Sequence, residues 1–494
     1  MSLRREMITG VFWSTVQKYS GLVVQLVVSA VLARLIAPED FGVVAVATVL
    51  IIFFSMFADM GVGAAIIQRQ DFTQKDWDAI YSFTVYVGTV LALLFFFASY
   101  PIADFYDNRT LIPICQLLSV NVLCSSLNIV PNALINKNKR FKFIAIRTLV
   151  FQIVSGVAAV MAALSGAGLY ALLVAPVFTS VGVFIVNLRQ YPLRFIPRIE
   201  MATVKSIFSY SGFLLLFNVF NYFSRNLDKL IIGRYFSARE LGYYDMSYRL
   251  MMLPLQNVTH VVTPVMHPIL TSLQMNLGEL SAKYNRIVSL IANLSFPLTA
   301  FLYFAADNLI HIVYGDRWND AIPVFEILSL SLPLQMILAS IGAIYLAAGR
   351  TDWMFYNGMC NTIFTILGFV VAAVVFHTID AMAWAWDITL TINFFISYWI
   401  LYKIVLKSSF WRMLTLNLNP LIVTGIIAVV LFFVEKLSID NCVLSLCVQF
   451  VVSAVIALVW GKATGRYDLI GLLKQMKAGL GSKDTATGYM PESK

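Results

Sequence analysis

Charged residues are scarce in this chain of 494 residues, because only 12% are Asp, Glu, Lys or Arg whereas 60% are hydrophobic. An ordinary soluble domain has about twice that charged fraction. The mean hydropathy of +0.80 agrees with this imbalance. The scarcity of charge therefore excludes a soluble globular domain and indicates a polytopic membrane protein.

Cysteine and histidine are also rare, with five and four residues, and neither a P-loop nor a GxGxxG motif occurs. The cysteines form no CxxC pair and have no metal-ligand spacing, so we expect them to be packing residues. Without a nucleotide-binding motif, we do not expect this chain to hydrolyse ATP. The sequence thus predicts a protein that is not an enzyme and that has no metal and no cofactor.

Apolar segments long enough to cross a bilayer, about 20 residues each, recur along the chain. The sequence predicts about fourteen transmembrane helices, at residues 12–36, 41–68, 79–101, 111–135, 143–164, 167–188, 205–233, 241–271, 284–305, 321–348, 354–376, 379–402, 412–434 and 441–461.

Lys and Arg are concentrated in alternate loops and in the C-terminal tail, and such segments stay in the cytoplasm. Both termini are therefore predicted to be cytoplasmic. The same bias explains the net charge of +9 without nucleic-acid binding.

Two polar loop segments recur at a nearly constant spacing. Arg34–Gly42 precedes the similar Arg234–Gly242 by 200 residues, and Tyr106–Pro113 resembles Tyr314–Pro323 at a shift of 208 to 210 residues. Six predicted spans separate equivalent points, so both halves cross the membrane in the same direction, as parallel repeats do. This pattern predicts a V-shaped alternating-access transporter with two six-helix lobes and two extra helices. The predicted divisions are an N-lobe at 1–200, a C-lobe at 201–407, helices 13 and 14 at 408–465, and a partly disordered cytoplasmic tail at 466–494.

Polar side chains form a stripe along the first helix of each predicted lobe. An ionisable side chain inside a span is costly and usually faces a polar cavity. At 100° per residue, each stripe occupies an arc of about 120°. The 200-residue shift pairs Lys18 with Asn218 and Gln25 with Arg225, and a narrower stripe in the eighth span contains Arg249. The predicted cavity residues are Lys18, Gln25, Asn218, Asn221, Arg225, Lys229 and Arg249.

Three carboxylates within the predicted spans, Asp59, Asp228 and Asp245, are candidates for coupling transport to an ion. Two simpler interpretations stay open. In one, Asp228 neutralises Arg225 in a local pair three residues apart. In the other, Lys229 extends from the end of its span to the membrane interface. If the basic residues do line a cavity, they suit an anionic, sugar-rich cargo, because guanidinium groups bind phosphate bidentately.

Several segments together resemble the Wzx-type polysaccharide flippases. They are Gly10–Ser14 (GVFWS), Leu32–Gly42 (LARLIAPEDFG), Asp59–Gln68 (DMGVGAAIIQ), Asn226–Gly233 (NLDKLIIG), Glu240–Tyr244 (ELGYY) and Tyr314–Trp318 (YGDRW). The resemblance covers nearly the whole chain and looks closest to the colanic-acid exporter type. The wider superfamily also includes multidrug and toxin extruders and the lipid II flippase.

The resemblance implies a flippase of the bacterial inner membrane. Its cargo would be an undecaprenyl-diphosphate-linked oligosaccharide repeat unit, moved for the synthesis of O-antigen, capsule or exopolysaccharide. The resemblance also implies coupling to H⁺ or Na⁺, and a polysaccharide polymerase and a chain-length regulator as partners. Two alternatives with the same fold stay open, a multidrug cation antiporter and a lipid II flippase. A site for cationic drugs would favour unpaired carboxylates and fewer basic residues.

Overall fold

The computed structural model describes residues 3–68, 72–197, 219, 222–223, 225–271, 273–416, 418–437 and 439–464. Every regular element in this part of the chain is a helix. In chain order the helices are α1 (Leu3–Leu35), α2 (Pro38–Asp59), α3 (Val62–Gln68), α4 (Gln74–Tyr106), α5 (Leu111–Lys137), α6 (Phe141–Leu164), α7 (Ala171–Gln190), α8 (described from 225 to 235), α9 (Ala238–Thr271), α10 (Leu277–Phe304), α11 (Ala306–Val313), α12 (Ala321–Leu330), α13 (Leu332–Leu338), α14 (Ile341–Ala347), α15 (Thr351–Val371), α16 (Ile379–Ile400), α17 (Phe410–Leu416), α18 (Leu418–Glu435) and α19 (Cys442–Ala463).

Eleven helices among the described residues are long and apolar enough to cross a membrane. The count is twelve if the pair Ala321–Leu330 and Leu332–Ala347, bent by 45°, forms one span. The prediction of an all-α multi-pass membrane protein is therefore confirmed, whereas the count of fourteen is not. The seventh predicted span lies mainly outside the described residues. The eighth corresponds to the 34-residue α9, whose charged and polar side chains make it less apolar than the eleven.

The chain divides into two compact units. Unit 1 contains Met1–Leu253, Ile310–Leu328 and Tyr356–Asn393, and unit 2 contains Pro254–Leu309, Ser329–Phe355 and Phe394–Lys494. Each unit thus combines segments that are distant in sequence. The predicted division into lobes at residue 200 stays a prediction.

Glycine residues in unit 1 allow α1 and α6 to pack closely. A Cβ atom added at Gly21 would lie 2.8 Å from Oε1 of Gln152, and one added at Gly156 would lie 2.5 Å from the Val28 side chain. Small residues commonly permit such close contacts between membrane helices, where van der Waals packing replaces the hydrophobic driving force. The first helix is thereby held against α6 along its length.

The two repeated segments also contact each other within unit 1, at the beginning of α2 and α9. A Cβ atom added at Gly42 would lie 1.7 Å from the carbonyl oxygen of Ala238, and one added at Gly242 would lie 2.1 Å from that of Pro38. Each contact maps onto the other under the 200-residue shift, so the segments pack reciprocally about a local two-fold axis. We call this contact the glycine crossing. It requires glycine on both sides, because any side chain would overlap the opposite backbone.

A buried tryptophan closes the same end of unit 1. The indole N–H of Trp318 donates to the carbonyl of Ala33 at 2.9 Å, and its ring meets Phe41 edge-on at 5.3 Å between centroids. Nearby, the hydroxyl of Tyr314 donates to the carbonyl of Met246 at 3.3 Å. Burial raises the pKa of Tyr314 above its ordinary value, so this hydroxyl stays protonated. The predicted repeat segments and YGDRW segment therefore meet in one place.

Unit 2 has a core of buried tyrosines from α10 and α16. The hydroxyls of Tyr284 and Tyr398 are 2.9 Å apart, and that of Tyr284 is also 3.0 Å from the Ser340 hydroxyl. Buried hydroxyls need such partners, because an unsatisfied polar group inside the membrane is costly. Unit 2 is therefore fixed by neutral hydrogen bonds as well as by apolar packing.

Candidate transport site

A short turn brings α8 and α9 together in unit 1. Residues 236 and 237 separate the two helices, and α9 begins with a capping box in which Ser237 N–H donates to Glu240 at 2.9 Å and Glu240 N–H donates to the Ser237 hydroxyl at 3.2 Å. Lys229 precedes Ser237 by eight residues and Asp245 follows it by eight. Antiparallel helices joined by a tight turn place such residues side by side.

Four charged side chains from α8 and α9 form a cluster at this level. The Lys229 Nζ lies 2.7 Å from one carboxylate oxygen of Asp245, and the Arg249 Nε lies 2.7 Å from the other. The fourth member, Asp228, is fully buried next to Lys229. Two acids and two bases make the cluster formally neutral. We call Asp228, Lys229, Asp245 and Arg249 the charge cluster.

The carboxylate of Asp228 is held by neutral donors. The Tyr244 hydroxyl donates to one of its oxygens at 2.9 Å, and the backbone N–H of Lys229 donates to the other at 2.8 Å. Among the described contacts no ion pair joins Asp228 to Arg225, whose side chain is exposed. The geometry thus gives Asp228 a partner on α9 in place of the local pair considered from the sequence.

Exposure differs sharply within the cluster. The side chain of Asp245 is 1% exposed and that of Lys229 14%, whereas that of Arg249 is 46% exposed. The buried carboxylate of Asp245 therefore neutralises both Lys229 and Arg249, and the guanidinium of Arg249 can still offer N–H groups to another anion. Removing a buried partner of this kind leaves an uncompensated charge, at a cost of about 3–5 kcal/mol.

Aromatic side chains surround the charge cluster. The ammonium group of Lys229 lies 5.3 Å from the centre of the Tyr248 ring, a cation–π distance, and Tyr248 stacks on Tyr244. Trp386 of α16 meets Tyr248 edge-on at 5.6 Å, and the neighbouring Asp387 is buried. The carboxylates of Asp228 and Asp245 are therefore buried in a low-dielectric environment, where their charges interact strongly with neighbouring groups.

The other predicted site residues lie elsewhere. Lys18 is half-buried on α1, 5.8 Å from the centre of the Tyr19 ring. Gln25 is exposed and lines a groove formed by α1, α5, α6 and α7. Asp59 ends α2, where one of its oxygens accepts from the backbone N–H of Gly63 at 3.4 Å. No described contact joins these three residues to the charge cluster, and Asn218 and Asn221 lie outside the described residues.

Sequence reasoning missed the aromatic part of the site. Tyr244 and Tyr248 are four residues apart and each immediately precedes a charged member of the α9 stripe. That spacing puts the two rings on one helix face beside the charges. The signal was therefore present, but it gave no indication that Tyr244 would reach Asp228 on another helix.

Comparison with known sequences identifies one family. The family described as polysaccharide biosynthesis protein matches residues 31–323, more than half of the chain. The matched part contains the glycine crossing and the whole charge cluster.

Two curated relatives match most of the chain. The teichuronic acid biosynthesis protein TuaB of Bacillus subtilis (strain 168) is 24% identical over 437 residues, which are 88% of this chain and 90% of the relative. The lipopolysaccharide biosynthesis protein WzxC of Escherichia coli (strain K12) is 26% identical over 456 residues, 87% of this chain and 89% of the relative.

A solved structure shares the fold. The lipid II flippase MurJ in an inward closed conformation aligns with a TM-score of 0.72 and 16% identity, covering 93% of this chain and 100% of that chain. At this identity the similarity concerns architecture and not cargo.

Proposed function

Because this chain belongs to the polysaccharide biosynthesis protein family, we propose that it is a flippase for an undecaprenyl-diphosphate-linked oligosaccharide. It moves this repeat unit from the cytoplasmic to the outer leaflet of the bacterial inner membrane, with both of its own termini in the cytoplasm. The resemblance to polysaccharide flippases that the sequence indicated is confirmed by the family match and by the two relatives. The cargo and its direction are the proposal.

The observation that carries the cargo proposal is the partly exposed side chain of Arg249, which is paired with the buried carboxylate of Asp245. Its Nε is bound to Asp245, while nearly half of the side chain remains accessible. Arg225 is exposed on the preceding helix, one turn from Lys229. Diphosphate is recognised by such convergent bases, which bind its oxygens in a charge-assisted way. Lys18 on α1 is a further candidate to contact the head group.

We assign ion coupling to the carboxylates. Protonation or cation binding at Asp245 weakens its hold on Lys229 and Arg249, because the carboxylate loses its negative charge or shares it. Asp228, buried beside Lys229, is a second candidate. A cargo diphosphate competes for the same bases. The cargo and the coupling ion then act on the same charged residues, so that binding of the cargo is linked to release of the coupling ion, and the reverse. Asp59 is a separate candidate at the end of α2.

Alternating access requires that a closed contact opens. The glycine crossing joins equivalent points of the two sequence repeats, and we propose that a relative movement of the repeats separates it. In the crossing, backbone lies directly against backbone. We propose that this packed contact is the closed form of a gate, which parts when the transporter changes state.

The proposal is tested in a strain that lacks this gene. Carrier-linked oligosaccharide should accumulate on the cytoplasmic face and surface polysaccharide should disappear. Arg225→Gln should fail to restore the polysaccharide, whereas the matched control Arg109→Gln, exposed in the loop between α4 and α5, should restore it. Strong sensitisation to cationic dyes with no accumulated carrier lipid would contradict the proposal and favour a multidrug antiporter.

A further inference from the structure

A neutral polar groove lies within unit 1, apart from the charge cluster. Its volume is about 600 Å³, and α1, α5, α6 and α7 form its walls. Its polar side chains include Gln25, Asn121, Asn128, Gln152, Ser155 and Thr179, and none of the lining residues in the described part of the chain is charged. These residues sit near the middle of helices long enough to cross the membrane. The groove is thus a polar space at the level of the hydrocarbon core.

The amide groups of this groove have unused hydrogen-bonding capacity. Oε1 of Gln152 is buried and has no hydrogen-bond partner among the described residues. Gly21 provides the space for this amide, because a Cβ atom there would lie 2.8 Å from the same oxygen. An unsatisfied amide in the membrane interior is costly unless a polar ligand or water fills the space. The groove is therefore built to receive hydrogen-bonding groups.

A buried arginine orients one wall of the groove. The guanidinium of Arg147, which is 9% exposed, donates to the side-chain oxygen of Asn187, and Asn187 in turn donates to Oδ1 of Asn128 at 2.7 Å. The acceptors of Arg147 in the described contacts are amide oxygens. The hydrogen bond from Asn187 occupies the side-chain oxygen of Asn128 and leaves the amide N–H groups of Asn128 for a ligand. Arg147 is thus a positioning residue for the groove.

The lining identifies the chemistry of the ligand. Amides and hydroxyls both donate and accept hydrogen bonds, which matches the hydroxyl groups of a neutral sugar. A cation would call for carboxylates and an anion for basic side chains, and the described lining residues include neither. A volume of about 600 Å³ lies within the ordinary range for small-molecule sites. We infer that this groove binds neutral sugar residues of the cargo, an inference that rests on the proposed flippase function.

The experiment measures binding of two probes to the purified full-length protein. One probe is bare undecaprenyl diphosphate, and the other is the carrier-linked oligosaccharide extracted from the deletion strain. Gln152→Leu and Asn128→Leu should each weaken binding of the glycosylated probe about five- to tenfold, as expected for one lost neutral hydrogen bond. Binding of the bare lipid should change less than twofold. Gln116→Leu, on α5 but outside the groove, is the matched control.

Gly21→Ala supplies a variant that keeps every polar group. It should weaken binding of the glycosylated probe by displacing the Gln152 amide, with little effect on the bare lipid. Wild-type affinity of all three groove variants for the glycosylated probe would overturn the inference. An equal loss for both probes would do the same, because it would indicate a general structural defect. If no carrier-linked oligosaccharide accumulates in the deletion strain, the proposed function fails and this inference fails with it.

Discussion

Gly42→Ala tests whether the glycine crossing is a gate. The added methyl group would lie 1.7 Å from the Ala238 carbonyl oxygen, whereas ordinary contacts of a Cβ atom begin near 3.4 Å. The two backbones must therefore separate by more than about 1 Å. Overpacking typically costs about 1–3 kcal/mol, and a rigid backbone neighbour favours the upper end of that range. If the crossing is closed in only one state, a cost of about 3 kcal/mol reduces that state about 100-fold relative to the open one.

The assay is a distance measurement between spin labels at Glu39 and Arg239, equivalent positions at the beginning of α2 and α9. The native cysteines are replaced so that only the introduced pair is labelled. Gly42→Ala should shift the distribution to longer distances and lower polysaccharide output. Gly242→Ala should act in the same way, because its contact with Pro38 is the reciprocal one.

The matched control is Gly358→Ala, since a Cβ atom there meets open space. It should leave both the distances and the output unchanged. Gly42→Ala with the wild-type distance distribution and normal output would show that the glycine crossing is not a gate. A fall in output without a change in distance would also reject the gate, because the defect would then lie elsewhere.

Three further predictions concern the charge cluster and the topology. Asp245→Asn should lower the free energy of unfolding by about 3–5 kcal/mol, because two bases lose their partner, and thermal unfolding of the purified protein measures this. Tyr244→Phe should cost about 1–3 kcal/mol, because it removes the hydroxyl that donates to buried Asp228; an unchanged melting temperature would contradict that role. Cysteines introduced at Asn138 and Asp316 should label from opposite sides of the membrane, and labelling of both from one side would overturn the predicted topology.

The sequence revealed those features in which rare residues recur at fixed spacing. Charged side chains are uncommon inside spans, so Asp245 and Arg249 at four-residue spacing predicted a shared helix face, and the structure shows them bonded. The glycines at 42 and 242 end the repeated segments Arg34–Gly42 and Arg234–Gly242, whose polar residues make the similarity visible against an apolar background. Their direct contact was not predictable, because a repeat shift relates two segments without saying that they touch.

The neutral groove escaped sequence reasoning for a physical reason. Asn, Gln, Ser and Thr occur throughout the chain, and an isolated amide in a span gives no periodic signal. Only the packing of four helices reveals that Asn128 and Gln152 face one space. The partner of Asp228 was hidden in the same way, since its choice between Arg225 and Tyr244 depends on how α8 meets α9.

The two sequence repeats have diverged in chemistry while keeping their packing. At the glycine crossing the two repeats are structurally equivalent, because Gly42 and Gly242 make the same contact with the opposite backbone. Yet the 200-residue shift makes Gln25 and Arg225 equivalent positions. Gln25 is neutral and lines the groove, whereas Arg225 is charged and lies on the same helix as Lys229 of the charge cluster. A cargo with a diphosphate at one end and neutral sugars at the other has the same asymmetry. The proposed gate would therefore separate two unlike surfaces, one suited to each end of the proposed cargo.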